Sequence, residues 1–298
     1  MRVDRFLLLL AALLAPGLQA ATPSISSPRE TTALNVDRLA VHRDLQWSAA
    51  PLADGRGLLD VYVPEGADRA PVVIFVHGGA LLFGDKSLVG HVGLRLAREG
   101  YVTVAINHRF SPAVQHPAHV QDAAAATRWV VDHIAEYGGD PQRIVLAGHS
   151  SGAYLAALLA VDGRWLDAAG VARERIRGLV PISGFFHVDR LAPSRPKHVW
   201  GEDPAAWVDA SPAHRVTAPT PPTLLIHADG DDEARRTESV DFAAVLREHG
   251  GDPDSADVTQ IEVKGRDHRS IFFVLGSAGD AATEALIPFL DRVTQPGA

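Results

Sequence analysis

Along this chain, short apolar and β-branched runs alternate with longer segments in which apolar positions recur at helical spacing. The runs LDVYV (59–63), PVVIFV (71–76), YVTVAIN (101–107), RIVLAG (143–148), GLVPIS (178–183), TLLIH (223–227) and TQIEVK (259–264) predict strands. Several are apolar throughout, as expected of strands covered on both faces. Helical patterns lie near 87–99, 118–136, 152–162, 237–249 and 280–293. The pattern AAAATRWVVDHIAEYGGDP stops at Gly138 and Gly139, and Asp140-Pro141 restarts the chain. Strands alternating with helices predict an α/β fold, a mostly parallel sheet flanked by helices and joined by right-handed crossovers. No internal repeat or low-complexity linker interrupts the pattern, so one domain is expected over residues 51–298.

Two stretches break the alternation. Residues 184–222 hold seven prolines and the tryptophans Trp200 and Trp207. A connection this long is unusual between two strands. It is expected to be either a lid-like insertion over the C-terminal edge of the sheet or a surface excursion that packs its tryptophans on the domain. Residues 21–50 are polar and weakly periodic, and read as an N-terminal arm or a helix lying on the domain. Ahead of them, MRVDRFLLLLAALLAPGLQA places Arg2 and Arg5 before an apolar stretch over 6–14, then Pro16, Gly17 and Ala20. That stretch is too short to span a bilayer and has the length of a secretory core region. Residues 1–20 are therefore read as a signal peptide, with a periplasmic or secreted mature protein and no stable membrane anchor after cleavage.

Composition narrows the chemistry. With 298 residues, 46% of them hydrophobic, the chain can bury a substantial core. A net charge of -8 without a long basic run argues against nucleic acid as a partner. The absence of cysteine removes disulfides, thiol nucleophiles and Cys-ligated metals. Fourteen histidines raise the question of a metal. The spacing His116-x-x-His119 lacks the acidic partner of zinc-hydrolase motifs and reads as a loop pair.

The segment RIVLAGHSSGAYLAALLA carries the sharper signal. Gly148-His149-Ser150-Ser151-Gly152 fits G-x-S-x-G, with a predicted strand before it and a predicted helix after it. A turn this tight strains its central residue and needs small neighbours two positions away on each side. It lifts Ser150 above the sheet edge as a candidate nucleophile, and Ser151 opens the helix with a free backbone N–H. A serine hydroxyl needs a base, and the base an orienting acid. Acid candidates follow the strand TLLIH: Asp229, Asp231, Asp232 and Glu233. The best-placed base is His268, in GRDHRSI just past the strand TQIEVK. Asp267 is discounted as the acid, because neighbours in an extended segment point opposite ways. In FVHGGALLFGDK, Gly78 and Gly79 follow a strand, where N–H groups without a Cβ can approach a developing oxyanion.

The stretches HGGALLFGD, GHSSGAYLAALL, LLIHADGDD and GRDHRSI resemble the α/β-hydrolase family of carboxylesterases. The likeness is to its hormone-sensitive-lipase-like and feruloyl-esterase-like branch, with kynurenine formamidase-like enzymes nearby. HPAHVQDAAAATRWVVDHIAEYGGDP and DASPAHRV add to it, and it covers roughly residues 57–293. The resemblance implies Ser150 as nucleophile, His268 as base and Asp231 as acid, in HADGD, where Ala228 replaces the usual glycine. It implies Gly78, Gly79 and Ser151 as the oxyanion hole, with His77 holding the loop. Leu81 and Leu82 stand where the family often has an aromatic residue. The expected activity is cleavage of small carboxylic esters through an acyl-enzyme, with short acyl groups preferred and no cofactor or metal. The alternatives are an arylformamidase-type amide hydrolase and a non-catalytic binding protein on a hydrolase scaffold.

Overall fold

The computed structural model describes residues 39–295, apart from 53, 196, 217–218 and 250–256. The proposed signal peptide and the arm up to residue 38 lie outside the described residues. Eight strands form one sheet: β1 (Ala40–Gln46), β2 (Leu58–Val63), β3 (Ala70–Val76), β4 (Val102–Ile106), β5 (Gly139–His149), β6 (Ile176–Ile182), β7 (Thr223–Gly230) and β8 (Val258–Asp267). Their order is β1-β2-β4-β3-β5-β6-β7-β8. β3 to β8 run parallel, and β1 and β2 form an antiparallel edge.

Residues 40–46, read as part of an N-terminal arm or helix, form the edge strand β1 instead. Its residues are mostly half-exposed and carry His42, Arg43 and Asp44, so no apolar run marks it. It is tied to the sheet by fully buried Asp60 of β2. That carboxylate accepts from Arg43 Nη1 at 3.1 Å, from the Asp44 N–H at 2.9 Å and from Lys86 Nζ at 2.5 Å. Buried charges persist only when paired in this way.

The central strands are buried on both sides, and their side chains alternate between two cores. Val72, Ile74, Val76, Ile144 and Leu146 face one layer, which contains α2 (Ala118–His133), α3 (Ser151–Val161) and α4 (Glu233–His249). Val73, Phe75, Val145 and Ala147 face the other, with α1 (Gly90–Arg98) and α5 (Ala281–Val293). This sandwich explains why these strands read as continuous apolar runs. In α3 every residue except Ala160 is buried, so this helix is apolar all round rather than amphipathic.

The described residues of 184–222 include the short helices Val188–Leu191, Lys197–Trp200 and Pro204–Asp209, with 3₁₀ turns over Ala192–Ser194 and Pro212–His214. The segment is pinned to the body at several points. Buried Glu238 of α4 accepts from the N–H groups of Phe186 (2.7 Å) and His187 (2.8 Å). Trp200 is buried, and its indole N–H donates to Tyr154 Oη at 3.3 Å. The His116 N–H donates to the Val199 carbonyl at 2.9 Å. Among the described residues, no helix is long and apolar enough to cross a membrane.

α3 packs directly under the sheet through Gly152, where an added Cβ would fall 2.0 Å from the Val76 carbonyl oxygen. Gly152→Ala is expected to force β3 and α3 apart and to destabilise the fold by about 1–3 kcal/mol. Denaturant unfolding of the variant checks this; an unchanged midpoint would show that the contact is easily relaxed.

Candidate active site

The parallel register brings the candidate residues to one rim. Val76 at the end of β3 pairs with Gly148, His149 with Ile182, Ile182 with Ile226, and Gly230 with Asp267. The loops leaving β3, β5, β6, β7 and β8 therefore start side by side. Along β8 the register jumps, so that the stretch from Val263 to Asp267 runs beside Ala228 to Gly230. This irregularity carries the chain on to His268.

Ser150 sits at the turn between β5 and α3 with φ 57° and ψ -121°, outside the basins open to most side chains. Two close approaches enforce the turn. A Cβ on Gly148 would lie 2.5 Å from the Gly152 backbone, and one on Gly152 would meet β3. The Ser150 N–H donates to the Ile182 carbonyl at 2.9 Å.

Ser150 Oγ lies 2.9 Å from His268 Nε2, and His268 Nδ1 lies 2.9 Å from Asp231 Oδ1. Of the four acid candidates, Asp231 meets the imidazole. Its side chain is fully buried, whereas that of Asp232 is 64% exposed and pairs with Arg235. Asp229 accepts from the Arg266 N–H, and Glu233 opens α4. Asp267 accepts from the N–H groups of Arg269 and Ser270. Burial by itself would raise the Asp231 pKa. Hydrogen bonds from His268, Ser183 and the Ala228 N–H outweigh it and hold the carboxyl at about 2. Asp231 is therefore a carboxylate wherever the protein is folded near neutrality, and the proton on the imidazole nitrogen facing it is Nδ1–H.

Ser183, at the end of β6, has no counterpart in the sequence reading. Its hydroxyl donates to Asp231 Oδ2 at 2.6 Å, and its backbone has φ 48°. His149 is a second such residue. Its Nε2 lies 2.8 Å from the His268 carbonyl oxygen, and its ring stacks on Phe272 with centroids 4.9 Å apart. Since a carbonyl only accepts, His149 donates from Nε2 and fixes the backbone that presents His268. The motif places His149 beside Ser150, but its contact with the His268 carbonyl, like the contact of Ser183 with Asp231, joins segments far apart in the chain and leaves no signal in a single sequence.

The loop after β3 is held from beneath. Arg56 Nη2 is 3.1 Å from His77 Nε2, and His77 Nδ1 is 2.7 Å from the Gly78 carbonyl oxygen. Guanidinium can only donate, so His77 accepts at Nε2 and donates from Nδ1. Arg56 also donates to Asn107, Asp85 and the His108 carbonyl, and lies 4.0 Å over the Phe110 ring. Three consecutive residues follow with positive φ: Gly79 at 136°, Ala80 at 56° and Leu81 at 64°. A Cβ on Gly79 would fall 1.8 Å from the Phe83 carbonyl oxygen, so only glycine fits. Among the described residues, none accepts from the N–H of Gly79 or Ser151.

A narrow cavity of about 30 Å³ lies beside Ser150, lined by Ala80, Leu82, Phe185, Val199 and Trp200, with Arg195 and Arg235. A larger groove of about 830 Å³, lined by Trp47, Trp129 and Trp165 among others, shares no residue with it. Among the described residues no group of three metal-ligating side chains converges. His119 Nε2 instead meets Ser111 Oγ at 3.2 Å, and His116 lies 4.0 Å from Asp209.

The order of strands, the serine turn and the helices on both sides define an α/β hydrolase, and the chain belongs to that family. The BD-FAE family model matches residues 59–176. The "Probable carboxylic ester hydrolase LipM" of Mycobacterium tuberculosis is 33% identical over 241 residues, which cover 75% of this chain and 54% of that protein. The chain thus spans about half the length of the curated relatives it matches. Among solved structures, a truncated carbohydrate esterase from gut microbiota superposes with a TM-score of 0.74 at 22% identity, covering 91% of this chain and 100% of that one. An esterase of Pyrobaculum calidifontis superposes with a TM-score of 0.66 at 25% identity, covering 87% and 86%.

The buried histidines give this region a pH signature. Burial pushes His77, His119 and His149 down to about 3, and His108 and His116 to about 4. An unfolded chain takes up these protons near pH 6.5, whereas the folded one refuses them until far lower. Stability is thus fully present above about pH 6.5 and declines as pH falls, by up to about 1.4 kcal/mol per pH unit for each histidine. The free energy of unfolding is expected to drop by at least about 3 kcal/mol between pH 6.5 and 5. Urea titrations at both pH values measure it, and equal values would refute buried neutral imidazoles.

Proposed function

We propose that this protein is a serine esterase of small carboxylic esters, with Ser150 as nucleophile, His268 as base and Asp231 as the acid that orients it. The observation that carries the reading is the unbroken line of hydrogen bonds from the Ser150 hydroxyl through His268 to buried Asp231. The names of the relatives, carboxylic ester hydrolase and esterase, support the same chemistry.

The steps follow from this geometry. Ser150 Oγ attacks the ester carbonyl carbon as its proton passes to His268 Nε2. The imidazolium is stabilised by the Asp231 carboxylate, which stays ionised. The carbonyl oxygen becomes an oxyanion, and the N–H groups of Gly79, Ser151 and Gly78 receive it. A missing donor of this kind typically costs about 2.7–4 kcal/mol in the transition state. The C–O bond to the alcohol then breaks, and the alcohol leaves with the proton from His268. Water then attacks the acyl carbon, giving its proton to His268; the bond from that carbon to Ser150 Oγ breaks, Oγ takes the proton back from His268 Nε2, and the carboxylic acid leaves. The cavity beside Ser150 supports short acyl groups, since about 30 Å³ holds few heavy atoms. The N-terminal run of basic and then apolar residues supports export of the enzyme.

A fluorophosphonate probe is expected to label Ser150, and Ser150→Ala to abolish both labelling and hydrolysis of 4-nitrophenyl acetate. Ser151→Ala keeps its backbone N–H and retains most of the rate. Equal loss from both variants would move the nucleophile away from Ser150. Across 4-nitrophenyl esters from acetyl to decanoyl, kcat/KM should fall with acyl length; a rise towards decanoyl would contradict the small pocket.

Ser183→Ala removes one of the hydrogen bonds that keep Asp231 ionised. We expect kcat to fall several-fold with KM little changed, since Ser183 does not line the cavity beside Ser150. An unaltered kcat would show that the remaining donors suffice.

A further inference from the structure

The wall of the Ser150 cleft carries two guanidinium groups, Arg195 from the 184–222 segment and Arg235 from α4. Burial disfavours the charge on Arg235, and the guanidinium of Arg195 is near enough to add to that effect. Arg235 is mostly buried, with 15% of its side chain exposed. Its charge is only partly met: Nη1 donates to the Ser183 carbonyl at 3.1 Å, and Nε lies 3.3 Å from Asp232. Asp232 is itself engaged at the start of α4, accepting from the Arg235 N–H at 2.9 Å. Asp231, the other carboxylate near Arg235, is committed to His268 and Ser183. For Arg195, no carboxylate or carbonyl partner for the guanidinium occurs among the described residues.

Two like charges beside a partly desolvated cavity repel each other, and the arrangement costs free energy unless an anion joins them. The protein as a whole is acidic, with net charge -8, so a general cationic surface does not account for the pair. The planar fork of an arginine matches a carboxylate through paired N–H donors, and two forks on one wall match one more closely than a neutral group. The rest of the lining, Leu82, Phe185, Val199 and Trp200, offers no charge of either sign.

We propose that the substrate is an anionic ester, bearing a carboxylate that Arg195 and Arg235 hold while Ser150 attacks the ester carbonyl. This rests on the serine-esterase reading above. It adds that the arginines select the substrate and place its carbonyl.

The test compares mono-4-nitrophenyl succinate, whose carboxylate lies on the acyl side, with its neutral partner, methyl 4-nitrophenyl succinate, using the full-length protein and subtracting spontaneous hydrolysis. We expect kcat/KM to be at least tenfold higher for the carboxylate, mainly through a lower KM, and the advantage to shrink as salt rises from 20 to 500 mM. Arg195→Gln should bring the ratio of the two substrates close to one. Arg195→Lys, which keeps the charge without the fork, should leave an intermediate ratio. A ratio is insensitive to partial misfolding, because both substrates report on the same folded fraction. Equal or better hydrolysis of the methyl ester by the unaltered protein overturns this inference alone. So does an Arg195→Gln variant that slows both substrates equally. Failure to hydrolyse either ester, with no fluorophosphonate adduct, overturns the serine-esterase reading and this inference with it.

Discussion

The site depends on one steric constraint, the contact between α3 and β3 at Gly152. Helix and strand approach so closely that no side chain fits between them, and Gly148 is tight for the same reason. The chain can pass from β5 into α3 only through a turn that puts Ser150 at φ 57°. The strain is sustained by what surrounds it: a helix buried on nearly every side and a β6 carbonyl that takes the Ser150 N–H. Backbone strain of this kind, of order 1–3 kcal/mol, persists only where packing over-determines it. Here the reward is a hydroxyl raised to the rim where four other strands end.

Around that turn, polar groups are buried in chains rather than singly. One chain runs from Ser150 through His268 and Asp231 to Ser183. Another runs from Phe110 and Arg56 through His77 to the Gly78 carbonyl. In both, a histidine is oriented because its neighbour has only one possible role, an arginine as donor or a carboxylate as acceptor. Burial keeps His77 and His149 neutral, so each stays an oriented dipole rather than a charge. These chains turn two loops into fixed surfaces, as the proposed oxyanion donors require.

The 184–222 segment adds the remaining wall. Its short helices are anchored by Glu238, Tyr154 and the His116 N–H, which ties it to three separate parts of the body. Trp200 closes one side of the cleft and Arg195 stands on another. Of its two tryptophans, Trp200 is buried and Trp207 packs partly against the core.

Much of this was legible in the sequence. Six of the eight strands announce themselves as apolar runs, because strands covered on both faces admit little else, and the edge strand β8 shows instead through its alternating β-branched residues. Gly148, Ser150 and Gly152 declare a tight turn, because a steric demand on the backbone is met by residue type alone. β1 stayed hidden because a half-exposed edge strand has no continuous apolar run, and its hold on the sheet is a buried carboxylate on another strand. The order of the strands, the hydroxyl of Ser183 on Asp231, the backbone hold of His149 and the pairing of Arg195 with Arg235 were decided only by the tertiary structure. Each joins residues far apart in the chain, and distance across a sheet leaves no mark on local pattern or composition.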